Sequence, residues 1–234
     1  MSEAKVIIVT GAGSGIGRAT SVMLAKAGHT LVLVGRDKGK LEQTAALLDA
    51  SRVQVIAADI TASGAPALII AAVLARWQRI DVLVNNAGKA KMTPIAEATE
   101  ALATELMRVN AIAPALLIAA VWPTFLRQQR GLVVNISSLA AIDPFPGFFA
   151  YGATKAAVES LARSVASEAG DTAIRAYNIA TGIVETPMLE GVFTYEQVPA
   201  DKRRAPEDVA AVVAQCVAGQ VAVASGQTLI IPNL

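Results

Sequence analysis

Two residues in the stretch "AYGATKAAVES" are placed to do proton chemistry together. Tyr151 and Lys155 stand four apart in an alanine-rich segment of helical character, and residues at that spacing share one face of a helix. A phenol ionises near pH ~10, a poor match to proton transfer at neutral pH. A cation within ~4–6 Å favours the phenolate, so Lys155 is expected to lower the value for Tyr151. Taken alone, the pair reads equally as a solvated lysine on an ordinary helix face.

A second chemical signal lies near the N-terminus. In "VTGAGSGIGRA", Gly11, Gly15 and Gly17, with Ser14 and Ile16 between them, join an apolar run to a helical one. Such a turn lets the backbone bend tightly, approach a ligand and pack the helix closely. Free N–H groups and the positive helix end then suit a pyrophosphate. The spacing, T-G-x-x-x-G-x-G, departs from the common G-x-G-x-x-G form, and by itself it is an ordinary glycine-rich turn.

These residues need elements to hold them. Short apolar runs, "KVIIVT", "TLVLVG", "VQVIAA", "DVLVNN", "GLVVNIS", "IRAYNIA" and "QTLIIP", alternate with helical segments over 15–28, 38–49, 66–78, 98–129, 150–169 and 206–218. Runs that are apolar on both faces are the mark of parallel strands covered on each side. The pattern predicts an α/β, doubly wound (Rossmann-type) seven-stranded parallel sheet with helices on both faces. The 234 residues show no linker, repeat or low-complexity tract, so a single domain is expected over 1–234.

Composition narrows the function. Hydrophobic residues make up 54% of the chain, and 20 basic residues stand against 19 acidic ones, a balance that excludes strong recruitment to nucleic acid or an anionic membrane. With one histidine and one cysteine, histidine triads and zinc clusters are excluded. His29, just past the first helix, reads as a surface residue, and Cys216 as a small buried one. The apolar run from Ala111 to Leu126 is broken by Pro114 and Pro123 and falls short of the ~20 residues of a membrane span. No secretory signal is visible, and a cytoplasmic location is expected.

Taken together, "TGAGSGIG" (10–17), Asp59 after the third strand, "NNAG" (85–88), Asn110, "NISS" (135–138) and "YGATK" (151–155) resemble the short-chain dehydrogenase/reductase family over nearly the whole chain. The resemblance implies an oxidoreductase that interconverts a carbonyl and an alcohol by hydride transfer, with a nicotinamide cofactor and a small-molecule substrate. Tyr151 would be its general acid/base. Ser138 would hold the substrate oxygen, with Ser137 turned the other way; Lys155 would bind ribose hydroxyls; Asn110, inside the long fourth helix, would hold a water linked to Lys155. Asp59 and Ile60 would flank the adenine, and Asn86, Ala87 and Gly88 would pass close to the cofactor.

Strand two ends in Gly35 and Arg36 where NAD-selecting relatives carry an acid, so NADP (NADPH) is expected over NAD. Asp37 would point elsewhere, and Arg36 also reads as a plain surface residue. Beyond strand six, Gly182 leads to the Val184 backbone and the Thr186 hydroxyl, which would contact the nicotinamide carboxamide. Thr181 replaces a usual proline and is expected to loosen that turn. Residues 187–205, with Phe193 and Tyr195, would form a short substrate lid. "AIDPFPGFFA" before Tyr151 reads as a pocket wall or as core.

Two other classes remain: a non-catalytic dinucleotide-binding sensor, and a sugar-nucleotide epimerase or dehydratase. The full Asn110, Ser138, Tyr151 and Lys155 set argues against the first, and the missing C-terminal substrate domain against the second. Leu116, Leu117, Ile118 and Val121 cover nearly a full helical turn, more than one stripe needs, so a homodimer or homotetramer is expected.

Overall fold

The computed structural model describes residues 3–194 and 196–233. Its centre is one sheet of seven parallel strands in the order β3-β2-β1-β4-β5-β6-β7. In chain order the elements are β1 (Val6–Thr10), α1 (Gly15–Lys26), β2 (Thr30–Gly35), α2 (Lys38–Ala45), β3 (Val53–Ala57), α3 (Ala65–Trp77) and β4 (Val82–Asn85). Then come α4 (Glu100–Met107), α5 (Ala113–Gln128), β5 (Arg130–Ser138), α6 (Phe149–Glu168), β6 (Ala173–Thr181), α7 (Pro187–Glu190), α8 (Pro206–Ala218) and β7 (Thr228–Ile231).

The period-2 geometry of a strand explains the doubly apolar runs. Val6 and Ile8 face one core together with Val32 and Val34, and α3, α5 and α6 cover it. Ile7 and Val9 face the other core with Leu31 and Leu33, under α1 and α8. Strand order reverses between β1 and β4, so the loops after these strands diverge and open a cleft at their C-terminal ends, where doubly wound sheets bind ligands.

Four expectations are corrected here. First, α2 stops at Ala45, and Asp49 instead accepts from the Ser51 N–H to cap a separate 3-10 turn. Second, the apolar run does not stop at Ala111: α4 and α5 run on through a π turn, Arg108–Ile112, as the one long helix expected over 98–129, here from Glu100 to Gln128. This 29-residue helix is long and apolar enough to cross a membrane, its most apolar window having a mean hydropathy of 1.8, but half of that window is buried inside the protein. Third, of the apolar quartet on α5, only Leu116 reaches the surface, at 52% exposure; Leu117, Ile118 and Val121 are buried core. Their breadth reflects packing between the sheet and α3.

The fourth concerns His29, which is buried rather than at the surface. Its Nδ1 accepts from the Lys5 N–H at 3.3 Å. Burial, with the Lys5 charge second, lowers its pKa and keeps it neutral. Cys216 is buried as expected, and burial pushes its thiol up to about 12.

Candidate active site

The glycine turn and the segment after β4 meet where the strand order reverses. Gly11 (φ +67) and Gly15 (φ +48) lie in the left-handed region that favours glycine. A Cβ on Gly17 would sit 2.3 Å from the Gly11 carbonyl oxygen, so α1 tucks directly beneath the turn. Thr10 Oγ1 accepts from the N–H groups of Asn86 and Ala87, each at 3.0 Å, and Asn86 Nδ2 donates to the Thr10 carbonyl at 2.8 Å. Ser14 is the N-cap of α1, yet its side chain makes no capping bond, and the first turn carries no acid. That bare positive helix end beneath an open turn fits the diphosphate of a dinucleotide. Gly88 serves space rather than positive φ: a Cβ there would meet Asn110 Oδ1 at 3.3 Å and Lys155 Nζ at 3.7 Å.

Gly35, Arg36, Asp59 and Ile60 line the outer end of the same cleft. Asp37 turns its carboxylate to the start of α2, accepting from the Lys40 N–H at 3.1 Å. Lys40, which the sequence reading passed over, lines the cleft beside Arg36. Asp59 Oδ1 accepts from the N–H and hydroxyl of Thr61 at 2.9 and 2.7 Å. Those bonds, more than the charge of Arg36, hold its carboxyl below the usual range.

The inner end is built where β5 and α6 converge. Ser138 ends β5, its hydroxyl accepting from the Ala140 N–H at 3.2 Å, and Tyr151 stands in the first turn of α6, where the Ser138 hydroxyl favours the ionised phenol. Lys155 Nζ donates to the Ile136 carbonyl at 2.8 Å and lies 5.8 Å from the centre of the Tyr151 ring. Asn110 sits in the π turn rather than in regular helix. Its Oδ1 accepts from the Lys89 N–H, and its Nδ2 donates to the Lys89 carbonyl and to Thr154 Oγ1, at 2.8, 2.8 and 3.0 Å. Ser137 turns away from Ser138 as expected and donates to Glu159 Oε1 at 2.7 Å. The sequence did carry a signal for Glu159: an acid one helical turn beyond Lys155 on the same face.

The expected downward shift of the Tyr151 pKa is overturned. Burial pushes the phenol up to about 12 despite the Ser138 hydroxyl, which pulls the other way. Burial also lowers Lys155 to about 8, against the opposing charge of Glu159. Removal of water disfavours the charged form of both groups. The free site therefore rests with a protonated phenol beside an ammonium that discharges easily.

The turn after β6 is not loose, contrary to expectation. The Gly182 N–H donates to the Ile231 carbonyl at 3.1 Å, and the Ile183 N–H donates to Asn233 Oδ1 at 2.9 Å. The chain's tail thus pins the turn that Thr181 begins. Val184 is buried and forms a bridge with Arg204. Thr186 Oγ1 donates to the Val184 carbonyl and accepts from the Leu189 N–H, capping α7. Phe193 follows α7; Tyr195 lies outside the described residues.

A profile of the short chain dehydrogenase family matches residues 5–197. The chain belongs to the short-chain dehydrogenase family. This dehydrogenase is 33% identical to an uncharacterized oxidoreductase of Staphylococcus epidermidis over 187 residues, 80% of this chain and 81% of the relative. Its fold matches an actinorhodin polyketide ketoreductase solved with NADPH at a TM-score of 0.89 and 28% identity, covering 99% of this chain and 97% of that one. It matches a 3-ketoacyl-(acyl-carrier-protein) reductase from Brucella melitensis, complexed with NADH, equally well: TM-score 0.89, 28% identity, 98% and 97% covered. The short-chain dehydrogenase is thus an oxidoreductase with a dinucleotide-binding fold.

The buried ammonium makes stability depend on pH with a definite sign. Below about 8 Lys155 is charged in folded and unfolded chains alike, and its burial penalty is fully present. As pH rises from there towards the unfolded value of 10.5, the folded chain sheds its proton first, so stability recovers. Urea unfolding at pH 7 and pH 9.5 should show wild type gaining ~1–3 kcal/mol relative to Lys155→Met. A gap that does not change with pH would mean burial leaves Lys155 unshifted.

Proposed function

We propose that this short-chain dehydrogenase interconverts a carbonyl and an alcohol with NADP(H), Tyr151 serving as the general acid in the reductive direction. The observation that carries the reading is the convergence of the Tyr151 phenol, the Ser138 hydroxyl and the Lys155 ammonium beside a cavity that Ile16 of the glycine turn also lines. The turn at Gly11, Ser14, Gly15, Ile16 and Gly17 would hold the diphosphate, with Asn86, Ala87 and Gly88 opposite. Asp59 and Ile60 would take the adenine, Lys155 the ribose, and Gly182, Val184 and Thr186 the carboxamide. When bound, the reduced nicotinamide would supply a hydride, the hydrogen and electron pair that the new C–H bond at the carbonyl carbon requires.

Every other task falls to the chain itself. Ser138 donates to the substrate oxygen and stabilises charge growing there. The C=O π bond breaks, and the Tyr151 proton passes to that oxygen. A phenol still protonated well above neutral pH is suited to giving a proton to an alkoxide, a far stronger base. Asn110 fixes the Lys89 backbone and the Thr154 hydroxyl next to Lys155. Residues 187–205 would act as a lid over the substrate. A non-catalytic sensor would need the dinucleotide cleft but not Ser138, Tyr151 and Lys155 gathered beside it.

Support for the phosphorylated cofactor comes from Arg36 and Lys40, two cations lining the cleft with no carboxylate at the Gly35 position. We further propose a homodimer or homotetramer formed through the face of α5 and α6 that exposes Leu116 and small residues. Light scattering should give at least twice the chain mass at micromolar concentration; a fully active monomer would exclude this.

Tyr151→Phe should lose ~10²–10⁴-fold in turnover, the share of general acid catalysis, while cofactor affinity stays near wild type. Steady-state kinetics retaining more than a tenth of wild-type turnover would remove Tyr151 from that role. Arg36→Ala should raise KM for NADPH ~10–100-fold, since a charge-assisted bond contributes roughly 1.5–3 kcal/mol. KM for NADH should barely move, and equal effects on both cofactors would make Arg36 a plain surface residue.

A further inference from the structure

We propose that the substrate is an uncharged ketone carrying an aryl ring, and that this ring seats against Phe148 at the start of α6 and Phe193 beyond α7. The proposal rests on the reading of Tyr151 and Ser138 given above, and its electron and proton balance is that of the same carbonyl reduction.

The cavity beside those two hydroxyls spans about 740 Å³ with its open mouth, the part along Gly182, Val184 and Thr186 being the one given above to the nicotinamide, and among its described lining residues there is no Asp, Glu, Lys, Arg or His. A carboxylate or phosphate entering it would shed water and gain no counter-charge from the lining. An apolar guest meets instead Leu139, Val192 and an aromatic cluster.

Phe148 is the hub of that cluster. Its ring centroid lies 5.3 Å from Tyr151, 5.8 Å from Phe193 and 6.3 Å from Phe145, with interplanar angles of 52°, 54° and 60°. Tilted pairs at these separations are the favoured aromatic arrangement, and a further ring extends such a cluster with a gain beyond burial alone. Phe148 itself is buried, whereas Phe145 stays 46% exposed at the mouth. The two walls come from different parts of the chain: Phe145 and Phe148 precede Tyr151, and Phe193 belongs to the segment beyond α7. Phe148, Phe193, Tyr151 and Ser138 line the same cavity, so the proposed ring and the carbonyl attached to it share one space with the phenol and the Ser138 hydroxyl.

The test compares kcat/KM with NADPH for acetophenone, 2-butanone and benzoylformate, which respectively carry the ring, lack it, and add a carboxylate to it. Acetophenone should exceed 2-butanone by ~10-fold or more and benzoylformate by ~100-fold. Phe193→Ala should lower acetophenone kcat/KM ~10-fold while 2-butanone stays within ~2-fold, and Phe193→Tyr should restore the ring preference. By calorimetry, 1-phenylethanol should bind the wild-type protein with NADP and bind ~10-fold more weakly to Phe193→Ala. Benzoylformate or 2-butanone matching acetophenone, or Phe193→Ala lowering both ketones equally, would overturn the substrate class alone. No turnover of any of the three would overturn the reading of the site on which it rests.

Discussion

The hydrogen bond from Lys155 Nζ to the Ile136 carbonyl, 2.8 Å long and buried, is the contact on which the site depends. It ties the helix that carries Tyr151 to the strand that carries Ser138, and it does so with a charge. An ammonium taken from water costs several kcal/mol unless it is compensated. Here one carbonyl and the more distant Glu159 carboxylate compensate it only in part, and its pKa falls to about 8. Packing of α6 on the sheet must supply the difference.

A row of buried amides contributes to that packing. Asn85, Asn135 and Asn178 stand in register on β4, β5 and β6. Asn85 Nδ2 donates to Asn135 Oδ1 at 3.0 Å, and Asn135 Nδ2 donates to Asn178 Oδ1 at 3.1 Å. Asn135 Nδ2 also reaches the α6 carbonyl of Val158 at 3.4 Å, and Asn178 Nδ2 donates to that of Glu159 at 3.1 Å. Buried amides linked in this way fix one register of helix against sheet, because any slip leaves polar groups unpaired. Ser137 bonding Glu159 adds a third tie on the side of β5 away from the site. The positions of Tyr151 and Ser138 therefore follow from polar contacts beneath them as much as from the helix itself.

How much of this the sequence disclosed depends on how local each signal is. The strands were legible because both faces of each are buried, which leaves apolar runs such as "TLVLVG" bounded by turn residues. The order of the glycine turn, "NNAG", "NISS" and "YGATK" identified the family. Long-range contacts were not legible. The grip of Asn233 on the Ile183 N–H joins residues fifty apart, and the usual proline's absence at Thr181 wrongly suggested slack. His29 was misread because the strand start that buries it, at Lys5, is remote in sequence. The pKa of Tyr151 was misread for a different reason. Spacing reports which charges are near, whereas burial, the largest influence on the phenol, is a property of the assembled fold.

That reversal gives the account its central claim: burial, not the neighbouring cation, sets the resting state, so the free enzyme presents Tyr151 as a loaded proton donor. The most direct test is an ultraviolet difference titration of the free protein, wild type minus Tyr151→Phe, which isolates the phenolate signal of this one tyrosine. The account predicts no Tyr151 phenolate below pH ~10, the value for an unperturbed phenol. A transition between pH 6 and 8 would contradict it and restore the ammonium as the dominant influence on the phenol.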